Sequence, residues 1–138
     1  MRADARTLRD LSHPNAELLE RAFGAFGRDA FVVARSLADD IVWRVPGTNA
    51  MSGQYVGRDA TLQFLRQTLV LSGGTYRTEL KYVVADDHRA VAVYRARGER
   101  EGRTLDIDQA LFCEIRGGQI ADVTAVPLDF QAFDAFWA

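Results

Sequence analysis

Apolar residues recur at helical spacing in the first part of the chain. Leu18, Leu19, Ala22, Phe23 and Phe26 fall on one stripe, the pattern of an amphipathic helix facing a core. Ser12-His13-Pro14 precedes it and predicts the helix start, because a proline in the first turn lacks a donor where none is needed. Gly27-Arg28-Asp29 ends it. A short second helix over about 30–38 carries Phe31, Val32, Ala34, Arg35 and Leu37.

The period then changes. Asp40 to Val45 alternates and reads as a strand, with Ile41, Trp43 and Val45 on one face. Pro46-Gly47-Thr48-Asn49 breaks it. Gly53 to Gly57 is a short extended piece. Helical spacing returns from Asp59 to Leu71 through Leu62, Phe64, Leu65 and Leu69, and Ser72-Gly73-Gly74 stops it. Four strands follow, over about 75–85, 89–98, 103–115 and 119–127. Their turns are Asp86-Asp87-His88, Glu99 to Gly102, and Gly117-Gly118. Strands of this length must twist and bend. Asp129 can cap a last helical segment with Phe130, Phe133, Phe136 and Trp137 on one side.

Pairing the strands assigns their faces. With a four-residue loop at Glu99–Gly102, Arg95 sits opposite Asp106 and Tyr94 opposite Ile107, with Glu79 beside Arg95. One face is then polar: Arg77, Glu79, Lys81, Arg95, Arg97, Asp106 and Asp108. The inner face is mostly apolar and includes Tyr82, Val84, Tyr94, Gln109, Leu111 and Cys113. A one-residue bulge at Gly117-Gly118 adds Ala121, Val123 and Ala125 to it.

The chain has 138 residues, a length that suits one domain over 12–138 behind a loose N-terminal arm over 1–11. Its formal charge is −2 with both signs interspersed, which leaves no electrostatic footprint for nucleic acid. No apolar run is long enough for a signal peptide or a membrane span, so a cytoplasmic protein is the expectation. The single cysteine, Cys113, has no internal disulfide partner and reads as a buried inert thiol. The two histidines, His13 and His88, lie far apart in the chain, so no metal site or cofactor is expected.

Three segments carry a family resemblance: Leu37-Ala-Asp-Asp-Ile-Val-Trp43 with Val45-Pro46-Gly47, Ser52-Gly-Gln-Tyr-Val-Gly57, and Phe112-Cys-Glu-Ile-Arg-Gly-Gly-Gln-Ile120. With the element order, they make the chain resemble the SnoaL-like and ketosteroid isomerase-like branch of the nuclear transport factor 2-like superfamily over about residues 12–130. The resemblance implies an α+β cone, a curved antiparallel sheet wrapped around about three helices, and a homodimer. The activity it implies is open, since the superfamily holds isomerases, dehydratases, epoxide hydrolases, cyclases and proteins that catalyse nothing. The positions where isomerases of this type place a base carboxylate, a tyrosine and a protonated acid fall here at Val45, near Arg21 and near Leu111. The last-strand acid of the epoxide hydrolases falls near Ala125. None of these matches.

The candidate ligand-binding residues are Trp43, Tyr82, Tyr94 and Gln109. Trp43 offers either an aromatic wall or plain packing. Gln109 is the strongly polar side chain of the inner face of its strand and needs partners, from a ligand or from Tyr82 and Tyr94. Asp106 and Asp108 would serve as general bases only if the strand turned them inward; alternation places them outside in a salt-bridge ladder. Two functions stay open. One is an enzyme-like pocket for a hydrophobic small molecule, of isomerase, cyclase or dehydratase type. The other is a non-catalytic binding or dimerisation module.

Overall fold

A computed structural model of the chain describes residues 13–138. The expected arm over 1–11 lies outside the described residues. In chain order the elements are α1 (Pro14–Ala25), α2 (Ala30–Ser36), β1 (Leu37–Val45), β2 (Gly53–Val56), α3 (Arg58–Leu71), β3 (Arg77–Ala85), β4 (Arg89–Arg100), β5 (Arg103–Arg116), β6 (Gln119–Pro127) and α4 (Phe130–Trp137). The fold is α+β. One curved sheet runs in the order β2-β1-β6-β5-β4-β3. Neighbours are antiparallel except β1 and β6, which run parallel. Helices α1, α3 and α4 pack on the inner face of the sheet.

Local chemistry explains where the helices begin. His13 caps α1, its Nδ1 accepting the Asn15 N–H at 3.0 Å, with Pro14 in the first turn. Its Nε2 lies 2.8 Å from Asp87 Oδ1, and Asn15 Nδ2 donates to the Asp86 carbonyl at 2.9 Å. The start of α1 is therefore tied to the β3–β4 turn. Asp29 caps α2 through the N–H groups of Phe31 and Val32. Asp129 caps α4 by accepting the Ala132 N–H at 3.0 Å, a role typical of aspartate before a helix.

The four aromatic residues that the sequence places on one side of the last helix do not share one environment. Phe133, Phe136 and Trp137 are buried in the core, whereas Phe130 is half exposed. Arg100 and Arg103 donate to the last carbonyls of α4, those of Phe136 and Ala138. Those acceptors have no partner within the helix, so two arginines of the sheet hold α4 across one end of the cone. Asp134 fastens the adjoining loop, accepting the Thr48 N–H at 3.1 Å and Asn49 Nδ2 at 2.6 Å.

Two strand registers differ from expectation. Arg100 pairs with Arg103, so the β4–β5 loop is only Glu101-Gly102. Both have positive φ, 50° and 77°, as a tight hairpin turn requires. Arg95 thus faces Asp108 and Tyr94 faces Gln109, rather than Asp106 and Ile107. The offset is two residues, an even number, so every β5 side chain keeps its face.

The second difference changes faces. Leu80 pairs with Tyr94, but Tyr82 pairs with Val93. Lys81 is the extra residue of a β-bulge, and beyond it the alternation of β3 is inverted. Tyr82 and Val84, expected inside, are on the outer face at 56% and 59% exposure. Val83 and Ala85 pack inward in their place. The outer face is therefore not uniformly polar. One part carries Arg77, Glu79, Lys81, Arg95, Arg97, Asp106 and Asp108. Beside it lie two apolar rows, Tyr82–Val93–Ala110 and Val84–Val91–Phe112.

The bulge expected at Gly117-Gly118 sits instead at Ala121, since Glu114 pairs with Asp122 and Ile115 with Ile120. Gly117-Gly118 is a two-residue turn with both φ positive. Val123 and Ala125 face inward.

Candidate functional site

A cavity of about 100 Å³ lies between the inner face of the sheet and the helices. The sheet contributes Trp43, Val45, Tyr94, Gln109, Leu111, Cys113, Val123 and Ala125; α1, α3 and α4 contribute Phe23, Phe64, Thr68 and Phe133. Trp137 and Tyr76 close the side near the start of β3. Phe23, Phe26, Tyr76 and Thr78 line both this cavity and a surface groove between the end of α1 and the start of β3.

Trp43 reaches the cavity because β1 alternates as the sequence indicates. Its ring packs at 5.7 Å from Phe64, which in turn lies 4.5 Å from Tyr55. Trp43 is 8% exposed, yet its Nε1 finds no hydrogen-bond partner among the described residues. Gln109 is 3% exposed. Its Nε2 donates to the Tyr94 hydroxyl at 2.8 Å, and its Oε1 is likewise buried without a partner. Tyr94 packs against Phe23 at 5.0 Å between ring centres. Three of the four candidate residues thus meet in one cavity. Tyr82 does not, because the Lys81 bulge turns it to the outside.

The titratable groups of the lining are held neutral. Burial pushes the Tyr94 phenol well up, with the neighbouring Tyr76 adding to the shift and the Gln109 amide opposing it. Burial likewise raises Tyr76, again against a hydrogen bond from Gln109. The Cys113 thiol is pushed up to about 12, by burial first and by the charge of Asp122 second. A thiol so placed is a poor nucleophile. Among the described residues, the lining holds no carboxylate, imidazole, ammonium or guanidinium group. Val45, Leu111 and Ala125, where the resemblance locates the acids of isomerases and epoxide hydrolases, line it as apolar side chains.

The two aspartates of β5 point away. Asp106 accepts from Arg95 Nε at 2.7 Å and Arg97 Nε at 3.1 Å. Asp108 pairs with Lys81 at 3.0 Å and with Arg95 at 3.2 Å. Hydrogen bonds from Arg95 to Asp106, and from Lys81 and then Arg95 to Asp108, hold both carboxyls below the usual range. The histidines serve the fold: His13 caps α1 and His88 lies in the β3–β4 turn.

Sequence reasoning did not single out Phe23, Phe64, Tyr76 or Trp137 as ligand-binding candidates, although all four line the cavity. Phe23 and Phe64 carried a signal, the core stripe of an amphipathic helix, which does not separate packing from lining. Tyr76 precedes β3, and its approach to the sheet depends on Gly98: a Cβ there would lie 3.3 Å from the Tyr76 Cα.

A curved sheet closed by helices around an apolar chamber defines a protein of the nuclear transport factor 2-like class. The chain belongs to the SnoaL-like domain family, whose pattern matches residues 17–123. It is 33% identical to the uncharacterized protein Rv0034 of Mycobacterium tuberculosis over 124 residues, 88% of this chain and 95% of that protein. In structure it is similar to Bal32a, from a soil-derived mobile gene cassette, with a TM-score of 0.87, 28% identity, and coverage of 91% of this chain and 97% of that one. A putative polyketide cyclase of Xanthomonas campestris shares the fold at 24% identity and a TM-score of 0.70, over 91% of this chain and 97% of that one. Among the described residues, no helix is long and apolar enough to cross a membrane.

Proposed function

We propose that this chain binds a small hydrophobic molecule in the cavity and holds it without a general acid or base of its own. The observation that carries this reading is the lining. It is apolar and aromatic, its ionisable groups are held protonated, and its few polar atoms are fixed by the sheet. Such a chamber favours a ligand through burial of apolar surface, about 25 cal/mol per Å², and orients it through a few hydrogen bonds. Thermal-shift and native mass-spectrometric screening of ring-sized apolar compounds tests it. Saturable stabilisation that is lost when the chamber is filled by Ala125→Phe is the expected result. No binding by any compound rejects it.

A second reading is an enzyme of isomerase, cyclase or dehydratase type acting on a hydrophobic metabolite. Its support is the presence of a hydrogen-bond donor, the Trp43 N–H, and the Tyr94–Gln109 pair in one apolar chamber, where polarising a carbonyl is most effective. Product analysis of bound cyclic ketones separates the two readings. Turnover abolished by Gln109→Ala favours the enzyme; binding without turnover favours the holder.

We propose further that two copies pair through the outer sheet face. The apolar rows through Tyr82, Val84 and Phe112 support this, since apolar surface beside a charged rim suits an interface. Sedimentation of the purified chain tests it.

A further inference from the structure

We infer that the cavity selects an uncharged ring molecule bearing a hydrogen-bond acceptor at one end and a donor at the other. The inference rests on the binding reading above and adds the ligand's polarity to it. Two residues of the lining each carry a buried, unpartnered polar atom, and the two atoms are complementary in chemistry: Trp43 Nε1 and Gln109 Oε1. An indole nitrogen only donates, and an amide oxygen only accepts. Each is more than nine-tenths buried, so an unmade hydrogen bond at either is costly to the fold.

The sheet holds these two atoms' residues at different places. Trp43 shares a row with Val123 and Cys113, whereas Gln109 shares one with Tyr94 and Pro127. Along β5 the rows are four residues apart, from Cys113 to Gln109. The rows' separation assigns the acceptor and the donor to opposite ends of the molecule. Between them the walls are apolar and aromatic: Phe64, Val45, Leu111 and Ala125. That calls for a ring, and a chamber of about 100 Å³ has room for little more than one.

Charge is excluded by the same lining. An anion would need a cation or several N–H groups, and the lining supplies neither an arginine nor a lysine. A cation would need a carboxylate, and both β5 aspartates point outward. Burying an unpaired charge costs far more than one hydrogen bond returns.

The test is a matched series measured by calorimetry at mildly acidic pH, where phenols are neutral. p-Hydroxyacetophenone carries both groups, p-methylacetophenone only the acceptor, p-cresol the donor, p-xylene neither, and p-toluate a charge. Each hydrogen bond is expected to contribute roughly tenfold in affinity, so p-hydroxyacetophenone binds best and p-toluate not at all. In Trp43→Phe the advantage of p-methylacetophenone over p-xylene disappears and that of p-cresol stays. In Gln109→Leu the reverse holds. Equal affinity across the neutral series, as when water alone serves the two atoms, overturns the inference while leaving the binding reading intact. Binding of p-toluate as tight as p-xylene also overturns it. Failure of every compound, p-xylene included, removes the binding reading and this inference with it. The wild-type ranking does not depend on either variant folding.

Discussion

Gln109 donates to the Tyr94 hydroxyl across the β4–β5 pair at 2.8 Å, which commits its nitrogen and leaves its carbonyl buried without a partner. The pair is directly cross-strand, and both residues are almost fully buried. Removing one partner strands the other. Tyr94→Phe is therefore expected to lower stability by about 1–3 kcal/mol, the cost of an unsatisfied buried donor. Adding Gln109→Leu to it removes the stranded amide, so the double variant should be less destabilised than the sum of the singles. Urea denaturation of the four proteins measures the coupling. Strict additivity would mean that the hydrogen bond contributes nothing.

Cys113 offers a test of how closed the chamber is. Its thiol is pushed up to about 12, mainly by burial, and the thiolate is the reactive form. Iodoacetamide at mildly alkaline pH is expected to label the native protein only as fast as it unfolds, and the denatured protein at once. Rapid labelling of the folded chain would show that the cavity admits reagents freely.

The outer charge ladder sets an acid-side dependence. Asp106 is lowered chiefly by the Arg95 hydrogen bond, and Asp108 chiefly by the Lys81 hydrogen bond. A carboxyl whose folded pKa lies below its unfolded value contributes stability above the unfolded pKa, near 4, and loses it as pH falls through the folded pKa. Stability should thus decline below about pH 4, with the unfolded state binding more protons. Asp108→Asn is expected to flatten that slope and to change little at neutral pH, as surface pairs do. Chemical denaturation at a series of pH values reads it.

Much of this fold is legible in the sequence because its helices and strands follow plain periods. The helix starts at His13-Pro14 and Asp129, the inward Ile41–Trp43–Val45 face and the outward Asp106 and Asp108 all follow from spacing and capping chemistry. The β5 faces survived a wrong loop length because the offset was even. Tyr82 was misplaced for a different reason. The bulge at Lys81 carries no glycine or other local signal, and pattern alone extends the alternation past it. The site was legible only where the pattern held: Trp43, Tyr94 and Gln109, but not the aromatic residues that α1, α3 and the approach to β3 bring in from other parts of the chain.

Gly47 is where backbone conformation and close approach coincide. Its φ is +92°, a region unfavourable for other residues, and an added Cβ would collide with the Asp134 carboxylate that holds Thr48 and Asn49. Gly47→Ala is expected to cost about 1–3 kcal/mol from the backbone alone, and to loosen the β1–β2 loop from α4. The thermal midpoint should fall in both Gly47→Ala and Gly53→Ala, and further in Gly47→Ala, because nothing lies within 4 Å of a carbon added at Gly53. Gly53 also has positive φ, 143°, so both variants carry a backbone cost and only Gly47→Ala adds the collision with Asp134.

The apolar half of the outer face yields the last prediction. Phe112 is 50% exposed at the centre of it, flanked by Val91 on β4 and Thr124 on β6. A chain that stays monomeric gains nothing from displaying Tyr82, Val84 and Phe112 together, and water contact with them is unfavourable. If a second copy covers them, Phe112→Arg places two like charges in a buried, self-complementary interface, where a symmetric contact repeats every substitution. Sedimentation should then shift from dimer to monomer, with the far-UV signal and the ligand cavity unchanged, because Phe112 points away from the cavity side of β5. Thr104→Arg, on the same face at the far end of the strand, should leave the mass unaltered. A wild-type chain that sediments as a monomer at tens of micromolar would remove the pairing proposal and leave the bulge at Lys81 to be explained by folding alone.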